Sequence, residues 1–265
     1  MNASPNLFTD GKAYERLMGR WSQLAGAKFL EWLNPQKGLH WIDVGCGNGA
    51  FTEVLIARAA PAAVTGIDPS DGQIKFARTR PATTQAQFRI GDAQALPFAD
   101  DSFDAASMAL VITFLSDPAK AAREMARVVK SGGMVATYMW DIPGGGFPIR
   151  PLAAAMKSLE LEEPARPNVE ASRRESMQAF WQQAGLQSID TTVIRIRVAY
   201  ADFDDFWASS SVPIGPSGKA LAALAPDKIE QIKARLREQL PIAADGSITY
   251  EAFANAVKGR VPANP

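Results

Sequence analysis

The sequence predicts an α/β fold built on a mostly parallel sheet with helices on both faces. Three observations predict it. Short apolar runs alternate with helical patterns from residue 39 to residue 140, the order that lays crossover helices over a parallel sheet. The run Trp41-Ile42-Asp43-Val44 leads into a glycine-rich turn, Gly45-Cys46-Gly47-Asn48-Gly49, and then into a helix-forming segment. Asp43, Asp68 and Asp92 stand at the ends of the first three strand patterns, the edge where ligands bind in such sheets.

Each element follows from its local pattern. Residues 13–33 read as an amphipathic helix with Leu17, Trp21, Leu24, Phe29 and Leu33 on one face, and Pro35 lies just past its end. Leu39 to Val44 is the first strand and residues 50–59 the helix after the glycine turn. Ala63 to Asp68 is a second strand, residues 71–79 a helix, and Ala86 to Ile90 a third strand. Phe103 to Leu110 is a fourth strand, and residues 118–130 are a helix with Ala121, Met125, Val128 and Val129 inward. Gly132-Gly133 is expected to stop that helix before a fifth strand, Met134 to Trp140.

The second half is less regular. Gly144, Gly145 and Gly146 between Pro143 and Pro148 predict a loop. Residues 149–161, 172–184, 204–208 and 227–240 read as helices, and Ile189 to Val198 alternates as a strand does. Ser209 to Pro216 reads as a flexible loop, and Ile248 to Val261 as a last strand with an alanine-rich middle.

Composition narrows the function. The chain has 265 residues with 28 basic and 28 acidic side chains, so its formal net charge is zero. That argues against a nucleic-acid partner. A single cysteine, Cys46, excludes an intramolecular disulfide and a cysteine-rich zinc site. The start of the chain lacks the basic and apolar pattern of a signal peptide. No apolar run approaches the roughly 18 residues of a membrane span. The expectation is a soluble cytoplasmic protein with no metal and no membrane span.

The turn and the acidic strand ends point to a nucleoside-containing ligand. Gly45 to Ala50 fits a Gly-x-Gly-x-x-Ala dinucleotide fingerprint as well as a longer Asp-x-Gly-x-Gly-x-Gly pattern. Asp43 separates the two readings. It lies two residues before the first glycine, where a carboxylate repels a pyrophosphate but favours a cationic ligand. Asp68 follows 25 residues later and suits a ribose diol with either ligand. Asp92 adds an acceptor for an exocyclic amine. Each aspartate alone would serve as a helix cap or turn former.

The ordered series resembles the class I S-adenosylmethionine-dependent methyltransferases, in particular the branch that includes ubiquinone/menaquinone-biosynthesis C-methyltransferases and many small-molecule enzymes. The matching residues are Ile42 to Gly49, Gly66-Ile67-Asp68-Pro69-Ser70 and Gly91-Asp92-Ala93 on through Leu96-Pro97-Phe98. Asp101-Ser102-Phe103-Asp104 and Glu124 to Gly133 complete the series. The resemblance implies a Rossmann-like, seven-stranded sheet with helical lid elements in one domain over residues 1–265. Residues 1–36 would form a helical flap, 37–142 the cofactor core, and 143–265 the substrate-side lid and last strands.

It also implies roles for particular positions. Gly45, Cys46, Gly47 and Gly49 would pass under the methionine and ribose of S-adenosylmethionine, with Asp43 beside them. Asp68 would hold the ribose, with Pro69 and Ser70 next to the adenine and Asp92 and Ala93 at its edge. Ala109, Leu110 and Phe114 would line the methionine end. Tyr14, Met18, Arg20 and Trp21 would belong to the flap, the arginine meeting the cofactor carboxylate, although Met18 and Trp21 suit core packing equally.

The acceptor side is read from fewer signals. Trp140, Asp141, Phe206 and Trp207 are expected at the acceptor pocket, and Trp181 and Phe180 in helix packing. The only histidine, His40, lies at the opposite end of its strand. Related enzymes often carry a histidine pair after the fourth strand, where Thr113-Phe114 stand here, so no catalytic base is assigned. Cys46 reads as a small turn residue, because no basic residue adjoins it. The expected activity is methyl transfer to a small, partly apolar metabolite. An NAD-dependent oxidoreductase and a non-catalytic nucleoside-binding protein are the alternatives.

Overall fold

The computed structural model describes residues 19–161, 168–213 and 215–263. Leu17, Tyr14, Met18 and Ile214 lie outside them. The elements in chain order are α1 (Arg20–Leu33), β1 (His40–Val44), α2 (Ala50–Ala59), β2 (Ala63–Asp68), α3 (Asp71–Ala77), β3 (Ala86–Ile90), β4 (Phe103–Ala109), α4 (Pro118–Val128) and β5 (Val129–Trp140). They continue with α5 (Arg150–Ser158), α6 (Arg174–Gln183), β6 (Gln187–Tyr200), α7 (Phe203–Ser210), α8 (Gly215–Ala222), α9 (Pro226–Gln239) and β7 (Ile248–Arg260).

The strands form one seven-stranded sheet in the order β3-β2-β1-β4-β5-β7-β6. The first five pair in parallel, whereas β7 runs antiparallel to both β5 and β6. The strand order therefore reverses between β1 and β4, which opens a crevice at their carboxyl ends. β1 is buried along four of its five residues, as expected for a strand covered on both faces. β6, at the sheet edge, instead alternates between buried and exposed residues toward its end. Local chemistry starts the helices: Ser70 caps α3 through Gln73 N–H, and Asp117 caps α4 through Lys120 N–H with Pro118 in the first turn.

Three expectations change. The buried stripe of α1 runs Trp21, Ala25, Phe29, Leu33, and Leu24 is 45 % exposed. A spacing of four keeps side chains on one helical face, and Leu24 falls beside it. The helix before β5 ends at Val128, ahead of the glycine pair. Val129 already pairs with Phe103, the register then breaks, and pairing resumes at Met134 with Ala105. Gly132 and Gly133 are held by Val261 across two backbone hydrogen bonds of 3.0 Å. Finally, Gly215 begins helix α8, so the Gly/Pro/Ser loop is shorter than its composition suggests.

The core joins both halves of the chain. Phe29 of α1, Tyr138 of β5 and Phe51 of α2 pack as an aromatic trio with centroids 4.7–6.0 Å apart. Trp181 of α6 is fully buried and donates to the Val135 carbonyl at 3.0 Å, as expected of a packing residue. The β6–β7 hairpin continues past the Ile194–Ala254 pair beside Trp140 and ends at the pairing of Tyr200 with Ile248. It thus stands above the carboxyl edge of the sheet. Among the described residues, no helix is long and apolar enough to cross a membrane.

Candidate functional site

The glycine turn is tied to β2 by its own backbone. Gly45 N–H and Cys46 N–H both donate to the Ile67 carbonyl, at 2.7 and 3.0 Å. Gly47 N–H donates to Asp68 Oδ2 at 3.0 Å, and Ser70 N–H to Oδ1 at 2.9 Å. Asp68 is thereby fixed between the turn and the start of α3. Each of its oxygens has lone-pair capacity left for a further donor. Burial raises its pKa, and the Ser70 and Gly47 amides work against that rise.

Asp43 lies beneath the turn and is fully buried. Thr52 Oγ1, on α2, donates to its Oδ2 at 2.6 Å, while Oδ1 is buried with no hydrogen-bond partner. Burial pushes its pKa up to about 7, opposed by the Thr52 hydrogen bond and reinforced by the nearby Asp68 charge. Desolvation disfavours the charged form of this carboxyl.

The glycines have different reasons. At Gly45, φ is +72° and a Cβ would lie 2.4 Å from Val111 Cγ2, so the residue is required by packing against the loop after β4. At Gly47, φ is +52° and a Cβ would meet nothing within 4 Å. The open face of the turn is at Gly47, the space that a ligand lying on the backbone would fill. Cys46 is buried, and burial together with Asp43 and Asp68 pushes its thiol pKa well up. It serves as a small turn residue.

Asp92 follows β3 and is exposed, with Oδ1 accepting Gln94 N–H at 2.9 Å, while Ala93 is buried. Pro69 is exposed beside Asp68, and Ser70 is buried as the cap of α3. After β4, Ala109 is half-buried and Leu110 adopts φ +61°, a left-handed conformation uncommon outside glycine. Its N–H donates to the Tyr138 carbonyl at 2.9 Å. Phe114 is half-buried in the short turn that follows. Asp43, the turn, Asp68, Asp92 and Leu110 thus border one crevice at the carboxyl ends of β1 to β4.

Several supports escaped the sequence reading. Arg80 Nε donates to the Asn48 carbonyl at 2.7 Å, and its Nη1 meets Glu53 at 2.7 Å, bracing the turn from α2. Gln94 Oε1 accepts from Ser116 Oγ and Asp117 N–H at 2.8 and 2.7 Å, joining the Asp92 loop to the start of α4. Arg127 forks onto Glu124 and also donates to Phe98 O, Leu96 O and Asp100. The Glu124/Arg127 spacing of three on a helix was the available signal. What they clamp was not.

The flap and acceptor residues find partners within the fold. Arg20 donates to the Ala199 carbonyl at 3.1 Å and faces Asp205 at 3.5 Å. Trp21 is 2 % exposed and packs edge-on against Tyr200. Arg20 thus meets β6 and α7, and Trp21 meets β6 because it falls on the buried stripe of α1. Phe206 is fully buried against Tyr200 and Phe203 and lines no open pocket. Trp207 is half-buried beneath Lys233. Trp140 is buried at the end of β5, and Asp141 closes its own loop by accepting Gly144 N–H at 2.9 Å. His40 is exposed at the amino end of β1, away from the crevice, and Thr113 is buried. Among the described residues, no three His, Cys, Asp or Glu side chains group closely enough to hold a metal.

A strand–glycine turn–helix with acidic groups at successive strand ends is the arrangement that nucleoside-binding α/β proteins use. Residues 42–137 match the methyltransferase domain family. The chain is 36 % identical over 170 residues to the O-methyltransferase cnsE of Penicillium expansum, covering 62 % of this chain and 57 % of that protein. It is 34 % identical over 113 residues to a demethylmenaquinone methyltransferase of Desulfitobacterium hafniense, covering 41 % and 45 %. The chain spans about half the length of these curated relatives. The Haemonchus contortus phosphoethanolamine N-methyltransferase 2, solved with S-adenosyl-L-methionine, shares the fold with a TM-score of 0.59 at 18 % identity, over 97 % of this chain and 58 % of that one. Residues 42–137 are thus similar to a methyltransferase domain, and the curated relatives include methyltransferases of the quinone-biosynthesis type.

Proposed function

We propose that this chain transfers a methyl group from S-adenosylmethionine to a small, partly apolar metabolite. The observation that carries the proposal is the pair of carboxylates around the turn: Asp68 with lone pairs to spare, and Asp43 with a buried, unmatched Oδ1. A cationic ligand carrying a ribose fits that pair, and the open face at Gly47 leaves room for it. When bound, S-adenosylmethionine supplies an activated methyl group, so the protein's task is chiefly positioning and exclusion of water.

In this reading Asp68 accepts the ribose hydroxyls and Asp43 supplies negative charge beneath the turn. Asp92 accepts the adenine amine, with Ala93, Pro69 and Ser70 beside the ring. Ala109, Leu110 and Phe114 border the methionine end. Trp140 and Asp141 stand at the acceptor side, where residues 143–265 supply the lid. No metal and no nucleic-acid partner enter, and the protein works in the cytoplasm.

Calorimetric titration with S-adenosylhomocysteine and, in parallel, NADH tests the proposal. Micromolar binding of the first alone is expected. Binding of NADH alone would move the chain to redox chemistry. Binding of neither removes the cofactor assignment.

A further inference from the structure

A cleft of about 460 Å³ opens between α5, the end of α9 and the start of β7. Pro151, Ala154, Leu240, Pro241 and Tyr250 make most of its wall, and among the described residues that line it Arg150 alone is charged. The Arg150 guanidinium is held from one side. Its Nη1 donates to the Gly145 carbonyl at 2.7 Å and to the Glu251 carbonyl at 3.2 Å, and its Cζ lies 5.7 Å from the centre of the Tyr250 ring. That ring is itself fixed, because its hydroxyl donates to the Pro148 carbonyl at 2.5 Å. Glu251 gives its carboxylate to Arg195. Among the described residues, Arg150 thus has no carboxylate partner, and its Nε and Nη2 meet no acceptor.

The chemistry of that arrangement specifies a ligand. Nε–H and one Nη2–H lie on the same edge of the guanidinium plane, a fork that matches two oxygens of a carboxylate or a phosphate. The two carbonyls on Nη1 orient the group but carry no net charge, so its positive charge is left for an anion. Its anchoring also means that little side-chain freedom is lost when a ligand arrives. Arg150 is exposed, and an ion pair in solvent is worth little by itself. The apolar wall supplies the rest. A bare anion would leave the wall unused, and an uncharged apolar molecule would leave the fork to water. A ligand that carries both parts uses the whole cleft.

We propose that this cleft binds a small molecule with an oxyanion, a carboxylate or a phosphate monoester, on an apolar body. The oxyanion takes Nε and Nη2 of Arg150, and the apolar part lies against Pro151, Ala154 and Pro241. The site stands on the cleft and the fork and does not rest on the methyltransferase reading.

The test is calorimetric titration of the full chain with 2-naphthoate, 2-naphthyl phosphate and the uncharged 2-naphthamide at neutral pH. At least one anion is expected to bind about tenfold more tightly than the amide, the worth of a charge-assisted pair open to solvent. The tighter of the two anions names the oxyanion. Arg150→Gln should erase the preference, and Arg150→Lys, which keeps the charge without the fork, should keep only part of it. Ala154→Phe changes an exposed position on the cleft wall and should weaken all three probes by filling the space. Equal binding of amide and anions, binding of none of them, or an anion preference that survives Arg150→Gln overturns the site. So do unchanged affinities in Ala154→Phe, which decides the matter if Arg150→Gln does not fold.

Discussion

Gly47 N–H donates to Asp68 Oδ2 at 3.0 Å, across 21 residues of chain. This contact joins the glycine turn after β1 to the acidic end of β2. With Ser70 N–H on the other oxygen, it sets the carboxylate before any ligand arrives. A site held in this way loses little freedom on binding.

Asp68→Ala should therefore weaken S-adenosylhomocysteine binding by about 1–3 kcal/mol through loss of the ribose contacts. It should also loosen the turn, because two backbone N–H groups lose their acceptor. Asp68→Asn keeps an oxygen for one of them and is expected to fall between the two. Calorimetry and a thermal melt separate the effects, and an alanine variant that binds as wild type does sinks the ribose assignment.

Asp43 makes the stability depend on pH. Its pKa is pushed from 3.8 to about 7 by burial. The native state then holds a proton that the unfolded chain has released across that window. Stability from this group is greatest at low pH and falls as pH rises from about 4 to about 7. Asp68 is raised as well and adds the same sign. The ligand-free Tm should be lower at pH 8 than at pH 5.5, with a smaller drop in Asp43→Asn. Binding of the cationic cofactor should strengthen over the same range, because the charged carboxylate is the form that attracts it. A pH-independent affinity would remove Asp43 from that role.

Gly45 and Gly47 should separate folding from binding. Gly45→Ala places a methyl 2.4 Å from Val111 at a positive φ, a combination expected to cost about 2–4 kcal/mol of stability. Gly47→Ala meets no atom and should cost about 1–2 kcal/mol for its φ alone. Its larger effect should be on cofactor affinity. Denaturant melts and cofactor titrations of the two variants check this, and equal affinity in Gly47→Ala and wild type would place the ligand elsewhere.

Arg127 holds the loop from Leu96 to Asp100 against α4 through Glu124, Asp100 and two carbonyls. Arg127→Lys cannot reproduce the fork. It should lower stability by about 1–3 kcal/mol. Amide exchange in residues 92–100 should speed up. Unchanged exchange there would show that the clamp does not hold the loop.

How far the site was legible follows from range. Asp43, the turn, Asp68 and Asp92 could be found because each is a local strand-end signal, and parallel strands bring successive carboxyl ends together. Val111 against Gly45, Arg80 on the turn, and Gln94 on α4 could not, because each contact joins segments 22–66 residues apart. The burial of Trp21 and Phe206 was not legible for a related reason: an aromatic residue near a pocket and one in the core have the same local pattern.

The order of strands and helices, the turn conformation and the acids beside it were legible from residues alone. These depend on periodicity, glycine freedom and chain direction, which act within a few residues. The insertion of β7 antiparallel between β5 and β6, the turning of Arg20 and Trp21 to the hairpin and the burial that raises the Asp43 pKa came from the tertiary fold. Each depends on what packs against a residue from distant chain. Burial, and with it charge state and hydrogen-bond completion, is a property of the assembled fold.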